Sequence, residues 1–221
     1  MTTLSLDATV SSIAAALPGA AEVFRKTGIN FCCGGNIPLA EAAERKNIAA
    51  DALIAQLQAL VDAAGRNAPE DTPALITHIL THYHDTHREE LDWLIPLAQR
   101  VERVHGDHEE APLGLTEALL ALQDELLGHM QKEEQVLFPM MQGGGDPMII
   151  HPISVMRHEH DDTTALLNQV EHVTNGLSLP VGACGSWTAL YTGLRKFSED
   201  LVTHIHLENN VLFPRFETRA A

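Results

Sequence analysis

The chain has 221 residues, 45% hydrophobic and 20% charged, with a formal net charge of −16 when histidine is counted as neutral. Binding to a phosphate backbone needs a basic footprint, so nucleic acid is excluded as an expected partner. No apolar run approaches the ~18 residues that a membrane-spanning helix requires, so no membrane association is expected.

From the N-terminus, MTTLSLDATVSSIAAALPG lacks a basic n-region and carries Asp7, so it does not read as a secretory leader and a cytoplasmic location is expected. Strand signals are nearly absent and helical periodicity runs throughout, which predicts an all-α fold. Short helices are predicted over 7–17, stopped by Pro18-Gly19, and over 20–27, ended by Gly28. An irregular segment, NFCCGGN at 30–36, follows. Helices over 38–46 and 51–64 come next, the second with Asp51 as N-cap and Gly65 as stop. These elements make a small helical cysteine-pair domain over 1–65, joined by a linker over 66–73 to a four-helix bundle over 74–221.

The chain has three cysteines, two of them adjacent, which is not a disulfide framework. Cys32 and Cys33 have two readings. They are small residues in a glycine-rich turn, or they are a redox-active or iron-handling thiol pair, since a disulfide between neighbours is strained and labile. The residues alone leave both open. Cys184, near a helix start, reads as structural.

From Pro73 onward four long helices are predicted, at about 73–104, 113–142, 152–175 and 184–216. Their short connections make successive helices antiparallel, which is a four-helix bundle. This part of the chain repeats itself. Residues 129–139, HMQKEEQVLFP, and 204–214, HIHLENNVLFP, share the pattern H-x-x-x-E-x-x-V-L-F-P. His84-Asp85 is matched by His160-Asp161, with 45 residues from His84 to His129 and 44 from His160 to His204. Two related hairpins would bring four histidines and two glutamates to one centre.

All six lie on apolar stripes. Leu119, Leu122 and Leu126 lead into His129 and Glu133, with Val136 and Met140 expected to continue the stripe. Leu190, Leu194, Phe197 and Leu201 lead into His204, Glu208 and then Val211. The trailing Phe138 and Phe213 read as apolar anchors, and Pro139 and Pro214 as kinks or stops. An unpaired buried carboxylate costs several kcal/mol or takes up a proton, so two of them in one core point to cations. A lone His-x-x-x-Glu on a helix is usually structural; two copies joined by two matching histidines are not.

Six ligands are too many for one tetrahedral zinc and too few to saturate two octahedral ions. With Glu133 and Glu208 bridging, each metal receives two histidines and two carboxylate oxygens, which leaves room for an oxo or hydroxo bridge and an open position. Such nitrogen-rich, oxygen-bridged coordination suits iron, while spacing alone leaves manganese or a mixed site open. His87, almost a turn past His84, reads as an outer residue that could donate to a carboxylate. His105 is a weaker metal candidate at a helix end, and the remaining histidines read as surface.

The bundle resembles a hemerythrin-like domain. The preceding FRKTGINFCCGGN resembles the cysteine-pair domain of the iron–sulfur cluster repair di-iron proteins, the repair-of-iron-centres (RIC) family. The motifs that carry the resemblance are Cys-Cys-Gly-Gly at 32–35, Tyr-His-Asp at 83–85, Ile-Ser-Val-Met at 153–156 and the two Leu-Phe-Pro repeats. The resemblance covers essentially the whole chain. It implies a non-haem di-iron centre held by His84, His129, His160 and His204 and bridged by Glu133 and Glu208. It also implies repair of iron–sulfur clusters damaged by nitric oxide or peroxide, by supplying iron, with damaged iron–sulfur proteins as clients. The resemblance favours the thiol role for Cys32 and Cys33. Competing readings are a carrier or sensor of dioxygen or nitric oxide, and a nitric oxide or peroxide reductase. A simple carrier has no need of residues 1–65. The oligomeric state, a homodimer included, is left open.

Overall fold

The computed structural model describes residues 4–31, 35–63, 68–145 and 147–217. Helices dominate, and the described residues hold no strand beyond an isolated bridge between Thr9 and Pro38.

Four short helices come first: α1 (Val10–Ala16), α2 (Ala20–Thr27), α3 (Leu39–Arg45) and α4 (Ala50–Ala63). Thr9 caps α1, its side-chain oxygen accepting from the Ser12 N–H at 3.2 Å. Gly28 ends α2 at φ 67°, a left-handed conformation that glycine adopts without strain. Asp51, expected as a cap, lies inside the first turn of α4, and the Gly65 stop lies outside the described residues. These helices enclose their own core around Val10, Phe24, Leu39, Leu53 and Leu57.

Cys32, Cys33 and Gly34 also lie outside the described residues. Gly35 is described, and its backbone passes close to Phe31: a Cβ at Gly35 would overlap the Phe31 carbonyl, while the Gly35 carbonyl accepts from Ser11 N–H at 2.9 Å. The Phe31 carbonyl is backbone and not the movable end of a side chain. Gly35→Ala is therefore expected to destabilise the chain by about 2 kcal/mol or more, read as a lower urea midpoint with the metal content unchanged. An unaltered midpoint would show that the close approach is absent.

The long helices are α5 (72–105), α6 (115–142), α7 (Ile150–Val173) and α8 (185–217). Their ends fall within two residues of those expected from the sequence. Asp71 caps α5, accepting from Ala74 N–H at 3.2 Å, with Pro73 in the first turn where its missing N–H costs nothing. In the bundle α5 packs on α6 and α8, and α6 packs on α7.

Three of the helices are not α-helical throughout. A π-helical turn interrupts α5 at Leu80–His84, α6 at Glu133–Leu137 and α8 at Glu208–Leu212. Each inserts one extra residue, closing with N–H bonds that reach five residues back, as from Phe213 to Glu208 at 2.9 Å. Helix continues past both Pro139 and Pro214, so neither proline stops its helix. The extra residue also shifts the apolar face. Val136, expected in the core, is 50% exposed, and Val211 is only partly buried. Leu137, Phe138 and Met141, and likewise Leu212, Phe213 and Phe216, face inward instead.

The bundle interior has a layered order. A large apolar cluster runs from Val101 and Leu115 to Leu126 and Leu201. A second cluster holds Ile76, Ile79, Leu137, Phe138, Ile153, Met156, Leu212 and Phe213. Polar side chains fill the layer between them.

The N-terminal helices pack on the α7 and α8 side of this same chain. Arg25 reaches Glu171 at 2.9 Å and the Gly176 carbonyl at 3.3 Å, and the Gly19 N–H donates to Glu199 at 2.9 Å. Glu171 is buried beneath this contact, and burial raises its pKa although Arg25 opposes the shift.

Candidate metal centre

The polar layer consists of His84 on α5, His129 and Glu133 on α6, His160 on α7, and His204 and Glu208 on α8, all buried. Four-residue spacing puts each His-x-x-x-Glu pair on one helix face. The π turns bear directly on this layer: the first ends at His84, and the other two begin at Glu133 and Glu208.

The histidines meet in pairs. Nε2 of His84 lies 3.1 Å from Nε2 of His204, and Nε2 of His129 lies 3.1 Å from that of His160. Two nitrogens each about 2.1 Å from one metal ion and at right angles around it would stand about 3.0 Å apart, so both pairs have the spacing of neighbouring ligands. The glutamates lie between the pairs. Glu133 Oε2 is 3.4 Å from His84 and 3.3 Å from His129. Glu208 divides its oxygens, Oε1 at 3.0 Å from His204 and Oε2 at 3.0 Å from His160. Two overlapping clusters result: His84, His204, Glu133 and Glu208, and His129, His160, Glu133 and Glu208, each with ligand atoms within 4.8 Å of one another. Both carboxylates belong to both clusters, which is a geometry for two metal ions sharing two bridges.

The electrostatics fit that occupancy. Both oxygens of Glu133 are buried without a hydrogen-bond partner among the described residues. Burial and the charge of Glu208 push Glu133 up, but His129 and His84 outweigh them and its pKa falls below the ordinary value. Burial likewise opposes ionisation of Glu208, yet His204 and His160 hold it well below the usual range. Two ionised carboxylates in a dry core need cations, and a metal pair would supply them.

A second ring of residues orients the imidazoles. His84 Nδ1 meets Glu134 Oε1 at 2.8 Å, His129 Nδ1 meets Glu159 Oε2 at 3.1 Å, and His160 Nδ1 meets Asn209 Oδ1 at 3.0 Å. Such contacts fix the tautomer and leave Nε2 as the lone-pair donor. Sequence reasoning missed all three. The signal was present in the repeat, because Glu134 and Asn209 each follow a glutamate of the cluster, and Glu159 precedes a histidine.

His87, read as a donor to a carboxylate, has no such partner. It is buried, neither ring nitrogen is hydrogen-bonded among the described residues, and its ring packs 5.3 Å from that of His204. Burial sets its pKa well below the ordinary value. His105 lies at the far end of the 21-residue segment Asp85–His105, roughly 30 Å along the helix from His84 at 1.5 Å per residue. There its Nε2 is 3.1 Å from Cys184 Sγ and its ring meets Trp187. His82, His108, His151, His158 and His172 are exposed, as expected of surface residues, while His78 and His206 are half-buried.

An all-α, hemerythrin-like bundle with a buried pair of histidine–glutamate clusters defines the class. The hemerythrin HHE cation binding domain family matches residues 75–216, and a family described as a domain of unknown function (DUF542) matches residues 6–61. The iron-sulfur cluster repair protein YtfE of Pectobacterium atrosepticum is 46% identical over 214 residues, covering 95% of this chain and 96% of the relative. Proteins of the same description from Escherichia coli and Escherichia fergusonii are 45% identical over 213 residues, with the same coverage. The chain belongs to the YtfE family of iron-sulfur cluster repair proteins.

Proposed function

We propose that this chain holds a non-haem di-iron centre and restores damaged iron–sulfur clusters by releasing iron to them. His84, His129, His160 and His204 are the nitrogen ligands, and Glu133 and Glu208 are the bridges. The observation that carries the reading is the sharing of both buried glutamates by two histidine pairs in a chain similar to the repair proteins along nearly its whole length. Iron bound here would provide both the redox-active pair and the cargo. The surrounding residues have separable tasks. Glu133 and Glu208 offset the metal charge, the apolar clusters on either side limit access of water, and Glu134, Glu159 and Asn209 set the direction of the imidazole lone pairs.

The test is to incubate the iron-loaded protein with an enzyme whose cluster has been removed or nitrosylated, beside an equal amount of free ferrous iron. Faster recovery with the protein is expected. Recovery no faster than with free iron would end the repair reading, and steady consumption of nitric oxide with a reductant would replace it by a reductase.

A further inference from the structure

The internal repeat pairs residues one to one: His84 with His160, His129 with His204, Glu133 with Glu208. The same register pairs Glu134 with Asn209 and Tyr83 with Glu159. The first of these pairs keeps its task, since Glu134 and Asn209 both bind the Nδ1 of a histidine on the neighbouring hairpin helix. Arg88 holds Glu134 at 2.6 Å and Arg157 holds Asn209 at 3.2 Å.

The second pair does not. Glu159 takes the Nδ1 of His129 and is itself held by Lys132 at 2.6 Å. Its counterpart Tyr83 has no carboxylate to offer, and lies in the π turn of α5 whereas Glu159 lies in an uninterrupted stretch of α7. The Tyr83 ring stacks flat on His204 instead, with centroids 5.5 Å apart and planes at 5°. His204 Nδ1 is buried and has no hydrogen-bond partner among the described residues, and the neighbouring ring of His87 makes no bond to it. One histidine pair is therefore anchored at both rings and the other at one.

We infer that the two metal positions are unequal, and that the ion held by His84 and His204 leaves first because His204 lacks the Nδ1 anchor that the other three histidines have. Loss of such an outer partner typically weakens a metal site 10- to 100-fold. This rests on the ligand assignment above and specifies which of the two ions is the releasable one.

The experiment follows iron release from the fully loaded, full-length protein to a ferrous chelator under reducing, anaerobic conditions. Two phases of equal amplitude are expected, with rates about tenfold or more apart. Crystals of half-depleted protein should keep the anomalous iron signal between His129 and His160. Glu159→Leu, which strips the anchor from His129, should accelerate the slow phase about 10- to 100-fold and leave the fast one unchanged. A single phase in the native protein, or retained iron between His84 and His204, would overturn the inference even if the variant failed to fold. The chelator assay involves no client protein. Two phases without repair activity would therefore sink the repair reading alone, and repair with a single phase would sink only the inequality.

Discussion

Glu208→Leu is expected to bring bound iron well below two ions per chain while leaving the metal-free chain at least as stable as the native one. The two effects part because Glu208 has opposite worth in the two states. Without metal it is a fully buried carboxylate, tied to His204 and His160 at 3.0 Å each. Burying an ionised carboxylate is costly even where it is paired. Leucine removes that cost while filling a similar volume, and His204, which burial already holds below the ordinary imidazole value, does not depend on the lost charge. Glu208 belongs to both ligand clusters, so with two ions bound as proposed its removal would take one carboxylate from each and one negative charge from the pair. Taking one partner from a buried charge cluster costs about 3–5 kcal/mol, or roughly two to three and a half orders of magnitude in affinity. Metal analysis after desalting, paired with urea unfolding of chelator-treated protein, measures both sides. Glu208→Gln keeps the shape without the charge and should also lose iron. Retention of two ions by either variant would refute the bridging role. Loss of metal-free stability on the scale of a core cavity would show that the glutamate mainly supports packing.

Most of this centre was legible in the sequence because the chain states it twice. One His-x-x-x-Glu is ordinary on a helix. Two copies, with two further histidines at nearly equal separations, constrain a two-fold arrangement, and the structure brings all six side chains to one layer. The π turns were not legible, because a helical period read from apolar residues assumes 3.6 residues per turn throughout. That assumption placed Val136 and Val211 inward, when the inserted residue turns Leu137 and Leu212 inward instead. The error itself locates the turns, since the apolar pattern slips by one residue just after each glutamate. The outer partners were hidden for another reason. Glu134, Glu159 and Asn209 look like solvated polar residues along their own helices, and only the packing of neighbouring helices brings them to the histidines. The anomaly of Tyr83 becomes visible only when the repeat is laid over those contacts.

Between pH 6.5 and 9 the metal-free protein is expected to lose stability while its affinity for ferrous iron rises. Burial lowers the pKa of His129, but the carboxylate of Glu133, with Glu208 and Glu159, more than reverses this and holds the imidazole up to about 9. His84 is raised in the same way, Glu133, Glu208 and Glu134 outweighing its burial. A histidine raised by folding contributes stability that is complete below its unfolded pKa, near 6.5, and is lost as pH climbs through the folded value. For His129 the loss is on the order of 3 kcal/mol across that window. The other shifted groups of the layer do not oppose it there. His204 and His87 are lowered, chiefly by burial, so their contribution is already level above about 6.5. The lowered Glu133 and Glu208 stay ionised throughout. Metal binding requires neutral imidazole, so each proton displaced from this layer makes apparent affinity about tenfold higher per pH unit below the pKa of its group. The two stability curves therefore diverge: the chelator-treated chain weakens toward pH 9 and the ferrous chain gains on it. Urea unfolding of both forms at several pH values, under anaerobic conditions, follows the divergence directly. Proton release on mixing iron with metal-free protein in weak buffer gives an independent count of the displaced protons. A metal-free chain whose stability is flat or rising over this range would mean that Glu133 and Glu208 do not hold protonated histidines, and that their charges are balanced in some other way before metal arrives.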